Sequence, residues 1–295
     1  MYKSIVLVKQ VPDTSNITGN VMQDDGTVNR AKLSAILNHE DRVAMEMALR
    51  VRDEYGGTVT AVTMGPPRAS DVLRECLYMG ADHACLVTDR KFAGADTLAT
   101  SYVLSEAIKK IGDYDFIFAG RQAIDGDTAQ VGPQTAEKLG IPQITYLEGI
   151  CSVTGRTVEA KRKIEGGYEI VRCSLPVLIT VIKDAGEPRP FKAKRVMAFK
   201  GARSLLELEK LADGNPLLSV EALVNEYESR SLLIETLTMD DLHLDPVRCG
   251  VHGSPTKVYK VESVVLSGGD HEHIEPTKAG LAKLVDKLFE DHILG

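Results

Sequence analysis

Across the first two-thirds of the chain, short β-rich apolar runs alternate with longer stretches of helical period, and this rhythm constrains the fold more than anything else. KSIVLVK, from residue 3, is strand-like. NHEDRVAMEMALRVRDEYGG follows, with Val43, Met47 and Val51 at i, i+4 and i+8 on one helix face and Gly56-Gly57 as its stop. TVTAVTMG, HACLVT, DYDFIFAG and QITYLEG read as further strands. RASDVLRECLYMG, DTLATSYVLSEAIKKIG and a helix closed by TAEKLG lie between them. Parallel neighbours need crossovers, and helices supply them. The pattern therefore predicts an α/β chain with a mostly parallel sheet and helices on both faces.

The pattern then changes. TVEAKRKIEGGYEIVRCSL gives two strands around Gly166-Gly167, a hairpin, and PVLITVI gives one more strand. DAGEPRPFKAKRVMAFKGAR carries prolines and basic residues without clean periodicity and reads as a loop. ARSLLELEKLAD is a short helix. From about Thr238 the chain is irregular until VESVVLSGGD and a last helix, EPTKAGLAKLVDKLFEDH. There Leu281, Leu284, Val285 and Leu288 share a face and Pro276 suits the first turn. The expected division is an α/β domain over residues 1–230 and a C-terminal arm with its helix over 231–295.

Several functional classes are disfavoured. Lys and Arg total 35 against 42 Asp and Glu, a net charge of -7, which is unlike a nucleic-acid binder. Tryptophan is absent and aromatics are 5%, too few for base-stacking platforms. No apolar run is long enough to span a membrane. The five cysteines form no CxxC pair, which suits a reducing cytoplasm and argues against a zinc or iron–sulfur site. SGGD at 267–270 is a turn, and HEH at 271–273 places its histidines on opposite sides of an extended chain, so no metal site is expected. There is no GxGxxG, no Walker loop and no nucleophile elbow, and no catalytic residue is assigned.

In a doubly wound sheet, ligands lie beyond the carboxyl ends of the strands. Lys9 through Asp13 follow the first strand, and Met64, Gly65 and Pro66 follow the second. Asn38, His39, Glu40 and Asp41 open one helix, and Gly94 through Thr97 open another. AGRQAIDGDTAQVGP, residues 119–133, follows DYDFIF with small and polar groups. Gly120, Gly126 and Gly132 let backbone approach a ligand, Thr128 and Gln130 offer side-chain donors, and Arg121 brings positive charge. Asp125 and Asp127 suit a ribose, an adenine donor or a helix cap. These features favour a bound nucleotide. The alternative is a plain Asp/Gly-rich connection.

GRQAIDGDTAQVGPQ resembles the nucleotide-binding signature of electron transfer flavoprotein β subunits. LVKQVPD, LNHEDRVAMEMALR, AVTMGP, LRECLYMGADHACLV, LGIPQITY, IEGGYE and LPVLITVIKDAGEPRP resemble that family in the same order, covering roughly residues 1 to 230. The resemblance implies a Rossmann-like, adenine-nucleotide-hydrolase-type fold and an FAD-binding α subunit as partner. Simple carriers of the family hold AMP in the β site, and electron-bifurcating relatives hold FAD there. Simple carriers typically read AIDDDCNQTGQ, where this chain reads AIDGDTAQVGP. Gly126 replaces an acid, and Thr128 and Ala129 replace bulkier groups, which frees space beside a pyrophosphate. GADTLATSYVL and the tail DPVRCGVHGSPTKVYKVESVVLSGGDHEHIEP are also similar to the bifurcating group, with Thr97 placed for a longer ligand.

By that resemblance, Leu7, Lys9, Asn38, His39, Glu40, Asp41 and Met64 line the adenosine side, with Asp96 and Thr97 nearby. Gly120, Arg121, Gln122, Ala123, Ile124, Asp125, Gly126, Asp127, Thr128, Ala129, Gln130 and Val131 cradle phosphates and ribose. Arg121 is the candidate for tuning a flavin. Residues 183–200 match the recognition loop that docks a partner dehydrogenase, of acyl-CoA, enoyl-CoA or 2-hydroxy acid type. The implied function is bifurcation, with NADH as hydride donor and ferredoxin or flavodoxin as second acceptor. The alternatives are a simple electron carrier with AMP and a non-redox adenine-nucleotide-binding protein.

Overall fold

Successive side chains of a strand face opposite ways, so a central strand serves two cores at once. The computed structural model describes residues 1–13, 34–215, 218–257, 273–291 and 293. In its first strand, β1 (Tyr2–Leu7), Ile5 and Leu7 enter one buried layer while Val6 enters the other. The layer around Val6 is filled by α1 (His39–Tyr55) and α2 (Ser70–Met79). The layer around Ile5 is filled by α3 (Thr97–Ile111) and α4 (Val131–Leu139).

A small antiparallel pair, β2 (Gln10–Pro12) and β3 (Ala35–Leu37), stands apart from the main sheet. The main strands are β1, β4 (Gly57–Met64), β5 (His83–Val87), β6 (Phe116–Gly120), β7 (Gln143–Thr154), β8 (Thr157–Ile164), β9 (Gly167–Ser174), β10 (Val177–Val181), β11 (Arg203–Ser204) and β12 (Leu233–Leu237). Their order is β11-β12-β5-β4-β1-β6-β10-β7-β8-β9. Pairing is parallel from β11 to β7 and antiparallel through the hairpin of β8 and β9. The chain moves outward from β1 through β4 and β5, then crosses to β6 on the other side of β1. The strand order reverses there, so the β1/β6 boundary is the switch point where such sheets open a crevice.

Three segments depart from the sequence reading. The stretch expected to be a loop after β10 contains a helix, α5 (Ala193–Phe199). None of its residues is buried, so it carries no apolar stripe for periodicity to reveal. Arg195 fixes it by donating to the Leu77 carbonyl at 2.7 Å and to the Ala81 carbonyl at the end of α2, while its guanidinium lies over Phe199. After α6 (Leu205–Ala212) come α7 (Val220–Ser229) and β12, both missing from the sequence reading. β12 pairs with β5 and extends the parallel sheet. Contacts group Met1–Val258 as one unit and Tyr259–Gly295 as another, later than the expected division at 230.

The last helix, α8 (Lys278–Glu290), belongs to the second unit. Its N-cap is Thr277, so Pro276 sits just before the helix and not in its first turn. VESVVLSGGD and the first two residues of HEH lie outside the described residues. Among the described residues no helix is long and apolar enough to cross a membrane.

Candidate functional site

The crevice at the switch point is a cleft of about 1390 Å³. That exceeds the roughly 300–1,000 Å³ of ordinary small-molecule pockets. Leu7, Lys9 and Met64 form one end, at the termini of β1 and β4. The loop between β6 and α4 forms the long wall, and Asp96, Thr97 and Thr100 at the start of α3 face it. Arg90, Phe92, Thr238 and Thr256 belong to the lining as well.

Most residues expected from the sequence come together here. Leu7, Lys9, Asp41, Met64, Asp96, Thr97, Gly120, Arg121, Gln122, Ala123, Gly126, Asp127, Thr128, Ala129, Gln130 and Val131 all line the cleft. Asn38, His39, Glu40, Ile124 and Asp125 do not. Three of these hold the wall from behind. The Asn38 amide donates to the Gln122 carbonyl at 2.9 Å and accepts from the Ile124 N–H at 3.3 Å. Glu40 accepts from the Gln122 N–H at 2.8 Å. Asp125 pairs with the Lys9 ammonium at 2.7 Å. His39 is exposed at the first position of α1, and Ile124 is also exposed.

Asp41 ties the two switch-point strands together. One carboxylate oxygen accepts from the Lys9 N–H at 2.8 Å, just beyond β1, and the other from the Gly120 N–H at 3.0 Å, at the end of β6. Burial pushes its carboxyl up to about 7, and Glu40 beside it acts in the same direction, against the lowering by Asn38 and the two N–H donors.

The three loop glycines do different work. A Cβ on Gly120 would lie 2.4 Å from Asp41 Oδ1 and 2.8 Å from the Asp41 nitrogen, so this glycine permits β6 to meet the start of α1. A Cβ on Gly132 would lie 2.8 Å from Thr180 Cγ2, so it permits α4 to pack on β10. Both also line the cleft with their backbone, so the lack of a Cβ at each serves packing on the side away from it. Only Gly126 of the three faces open space, with nothing within 4 Å. Asp127 and Ala129 hold left-handed φ values of 51° and 53°. That strain in non-glycine residues is typical of functional loops. Neither Asp125 nor Asp127 caps α4, whose N-cap is Gln130; Asp127 instead accepts from the Gln122 amide.

The electrostatics suit an anion. The N-termini of α3 and α4 both open on the cleft, where helix dipoles favour negative charge, and the N-cap of α4, Gln130, makes no side-chain bond to the first turn. They are linked to each other: Thr97 Oγ1 donates to Gln130 Oε1 at 2.9 Å. Asp96 is occupied as the cap of α3, accepting from the Leu98 and Ala99 N–H groups and from Thr256. Burial works to raise its carboxyl, but those donors hold it below the usual carboxylate range. Arg121 pairs with Glu40 at 3.3 Å and stacks over Tyr146, so its guanidinium is held in place at the rim.

Thr88, Asp89 and Arg90 after β5, and Thr238 after β12, also line the cleft. The strand-end rule reaches the first three; Thr238 becomes visible only once β12 is recognised. Among the described residues no group of three His, Cys, Asp or Glu side chains is placed to hold a metal.

A family model described as the electron transfer flavoprotein domain matches residues 25–204. The chain is 41% identical over 290 residues to an electron transfer flavoprotein subunit beta of Clostridium acetobutylicum, covering 98% of this chain and 99% of that protein. It is 42% identical over 300 residues to the acryloyl-CoA reductase electron transfer subunit gamma of Anaerotignum propionicum, covering 98% of each. Protein FixA of Azotobacter vinelandii is 48% identical over 295 residues, covering 95% of this chain and 94% of that protein.

Proposed function

The chain belongs to the electron transfer flavoprotein family, and from that membership we propose that it is a β subunit whose cleft holds a complete FAD and serves electron bifurcation. The observation that carries the reading is the volume of the cleft. Its lining takes in Arg90, Phe92 and Thr256 as well as the 120–131 loop, with Gly126 open. AMP has one phosphate and no flavin ring, and would leave most of about 1390 Å³ empty. Held by these residues, an FAD would supply the redox chemistry, with NADH as hydride donor, the α-subunit FAD and a dehydrogenase as one single-electron route and ferredoxin or flavodoxin as the other.

The protein's share is binding and orientation. Leu7, Lys9 and Met64 receive the adenosine. The α3 and α4 N-termini face the pyrophosphate. Arg121, clamped by Glu40 and Tyr146, stabilises negative charge on the pyrophosphate or flavin. The α subunit covers this chain, with α8 packing against it through the face of Leu281, Leu284, Val285 and Leu288. An FAD dehydrogenase of acyl-CoA, enoyl-CoA or 2-hydroxy acid type docks on the 183–200 segment. Met197 of α5, 65% exposed, is its apolar anchor.

Gly126→Asp tests the reading. The new carboxylate has room, so folding is preserved, but it faces the phosphate side of the cleft. FAD affinity of the β site is expected to fall at least about tenfold, as one repulsive charge contact of about 1.4 kcal/mol implies. FAD released from the purified αβ complex on denaturation reports the change. Undiminished FAD content in the variant would contradict the proposed placement.

A further inference from the structure

A second cavity, of about 420 Å³, lies on the outer side of α3. Its floor is Leu98 and Tyr102, one turn apart on α3, with Val247 and Pro255 at its edge. Its polar side chains include Lys138 of α4, Arg248, His252 and Ser254. Arg248 lies over the Tyr102 ring, 3.8 Å from its centroid. Among the described residues no carboxylate forms an ion pair with Lys138 or Arg248, in a chain whose net charge is -7.

The loop that carries Arg248 and His252 is firmly seated. Gly250 has φ 55°, and a Cβ there would lie 2.1 Å from the Lys91 carbonyl oxygen. A Cβ on Gly94 would lie 2.5 Å from Val251. The loop is also bonded to the nucleotide cleft: the Asp96 N–H donates to Ser254 Oγ at 2.8 Å, and the Thr256 hydroxyl donates to Asp96 at 2.8 Å. Ser254 lines the second cavity and Thr256 the first, so the two share a wall.

We propose that this basic, apolar-floored cavity docks an acidic segment of a partner protein, beside the nucleotide cleft. Charge complementarity selects the occupant. The net negative charge of the chain repels acidic proteins, and this patch of unpaired cations is where one is attracted. A carboxylate fits between Arg248 and Lys138, and an adjoining apolar side chain fits against Leu98 and Val247. The site is open at its rim, with Val247 72% exposed, as a surface that receives another protein should be. Resting on the bifurcation reading, the partner is the acidic single-electron acceptor, which thereby approaches on a different element from the dehydrogenase at α5.

The test uses the purified αβ complex and oxidised ferredoxin as the acidic probe. Binding is measured at low and high salt for the parent complex and for Lys138→Glu/Arg248→Glu. The parent is expected to bind, with affinity falling as salt rises. The double reversal is expected to weaken binding at least about tenfold and flatten the salt dependence, with the released nucleotide content unchanged. A Lys163→Glu complex, altered at an exposed residue of β8 outside the cavity lining, is expected to bind like the parent. Equal binding by parent and double variant, or no binding by the parent, would overturn the proposal. The nucleotide content of the same samples judges the FAD reading separately: AMP in the β site would sink that reading whichever way the binding fell.

Discussion

Replacing Gly120 with alanine is expected to strip the complex of its β-site nucleotide and to cost about 3 kcal/mol, the upper range for overpacking. The new Cβ would meet Asp41 Oδ1 at 2.4 Å and, at 2.8 Å, the backbone nitrogen of Asp41 and carbonyl carbon of Glu40. Two of those three atoms are main chain at the start of a helix, so no rotamer change relieves the clash. Either the end of β6 or the start of α1 must move. Movement of either breaks the Gly120 N–H to Asp41 bond at 3.0 Å and displaces the Gln122 N–H from Glu40. The wall of the cleft moves with them. Gly126→Ala is the matched control, because its Cβ meets nothing within 4 Å. It should stay within about 0.5 kcal/mol of the parent. Thermal midpoints and released nucleotide for the two variants, side by side, check both statements.

Asp41→Asn is expected to destabilise the protein near pH 4 and to stabilise it near pH 7. An asparagine offers one oxygen where the carboxylate offers two, so either the Lys9 or the Gly120 N–H loses its acceptor. An unsatisfied buried donor costs about 1–3 kcal/mol. The pH dependence follows from the raised carboxyl, from an ordinary 3.8 to about 7. Between those values the folded protein holds a proton that the unfolded chain has released. The parent therefore loses stability from this group as pH rises from about 4 to about 7, by up to roughly 4 kcal/mol. The asparagine variant has no such loss. A loss of that size exceeds the about 1–3 kcal/mol by which the parent leads near pH 4, so the order reverses and the variant is the more stable by pH 7, which urea unfolding at both ends of the window measures. A constant gap would mean that Asp41 is ionised throughout.

The fold was legible where burial imprints a period on the sequence. Val43, Met47 and Val51 announce α1 because they all enter one core layer. α5 was illegible because none of its residues is buried: it is held by Arg195 reaching carbonyls of α2 and its C-terminal turn, a tertiary bond with no local signature. β12 is only five residues long and half-buried, and its role appears only when β5 is seen to need a neighbour.

The candidate site was legible as a set of strand ends, since the switch point gathers them. It was not legible as a division of labour. Asn38 and Glu40 look like ligand contacts in sequence, yet they hold the backbone of Gln122 and Ile124 from behind. Gly120 and Gly132 look like ligand approaches in sequence, and they line the cleft, but they are also places where helix and strand touch. Sequence identifies the residue types a cleft needs, but only the packing around each shows which of them face into it.

The most direct measurement is the nucleotide content of the co-expressed αβ complex, denatured and separated into FAD and AMP. FAD in both subunits with no AMP is the predicted result, and it would justify assaying NADH-dependent ferredoxin reduction. FAD in the α subunit with AMP in the β subunit would contradict the account, leaving the cleft a structural AMP cradle and the chain a simple electron-carrier subunit.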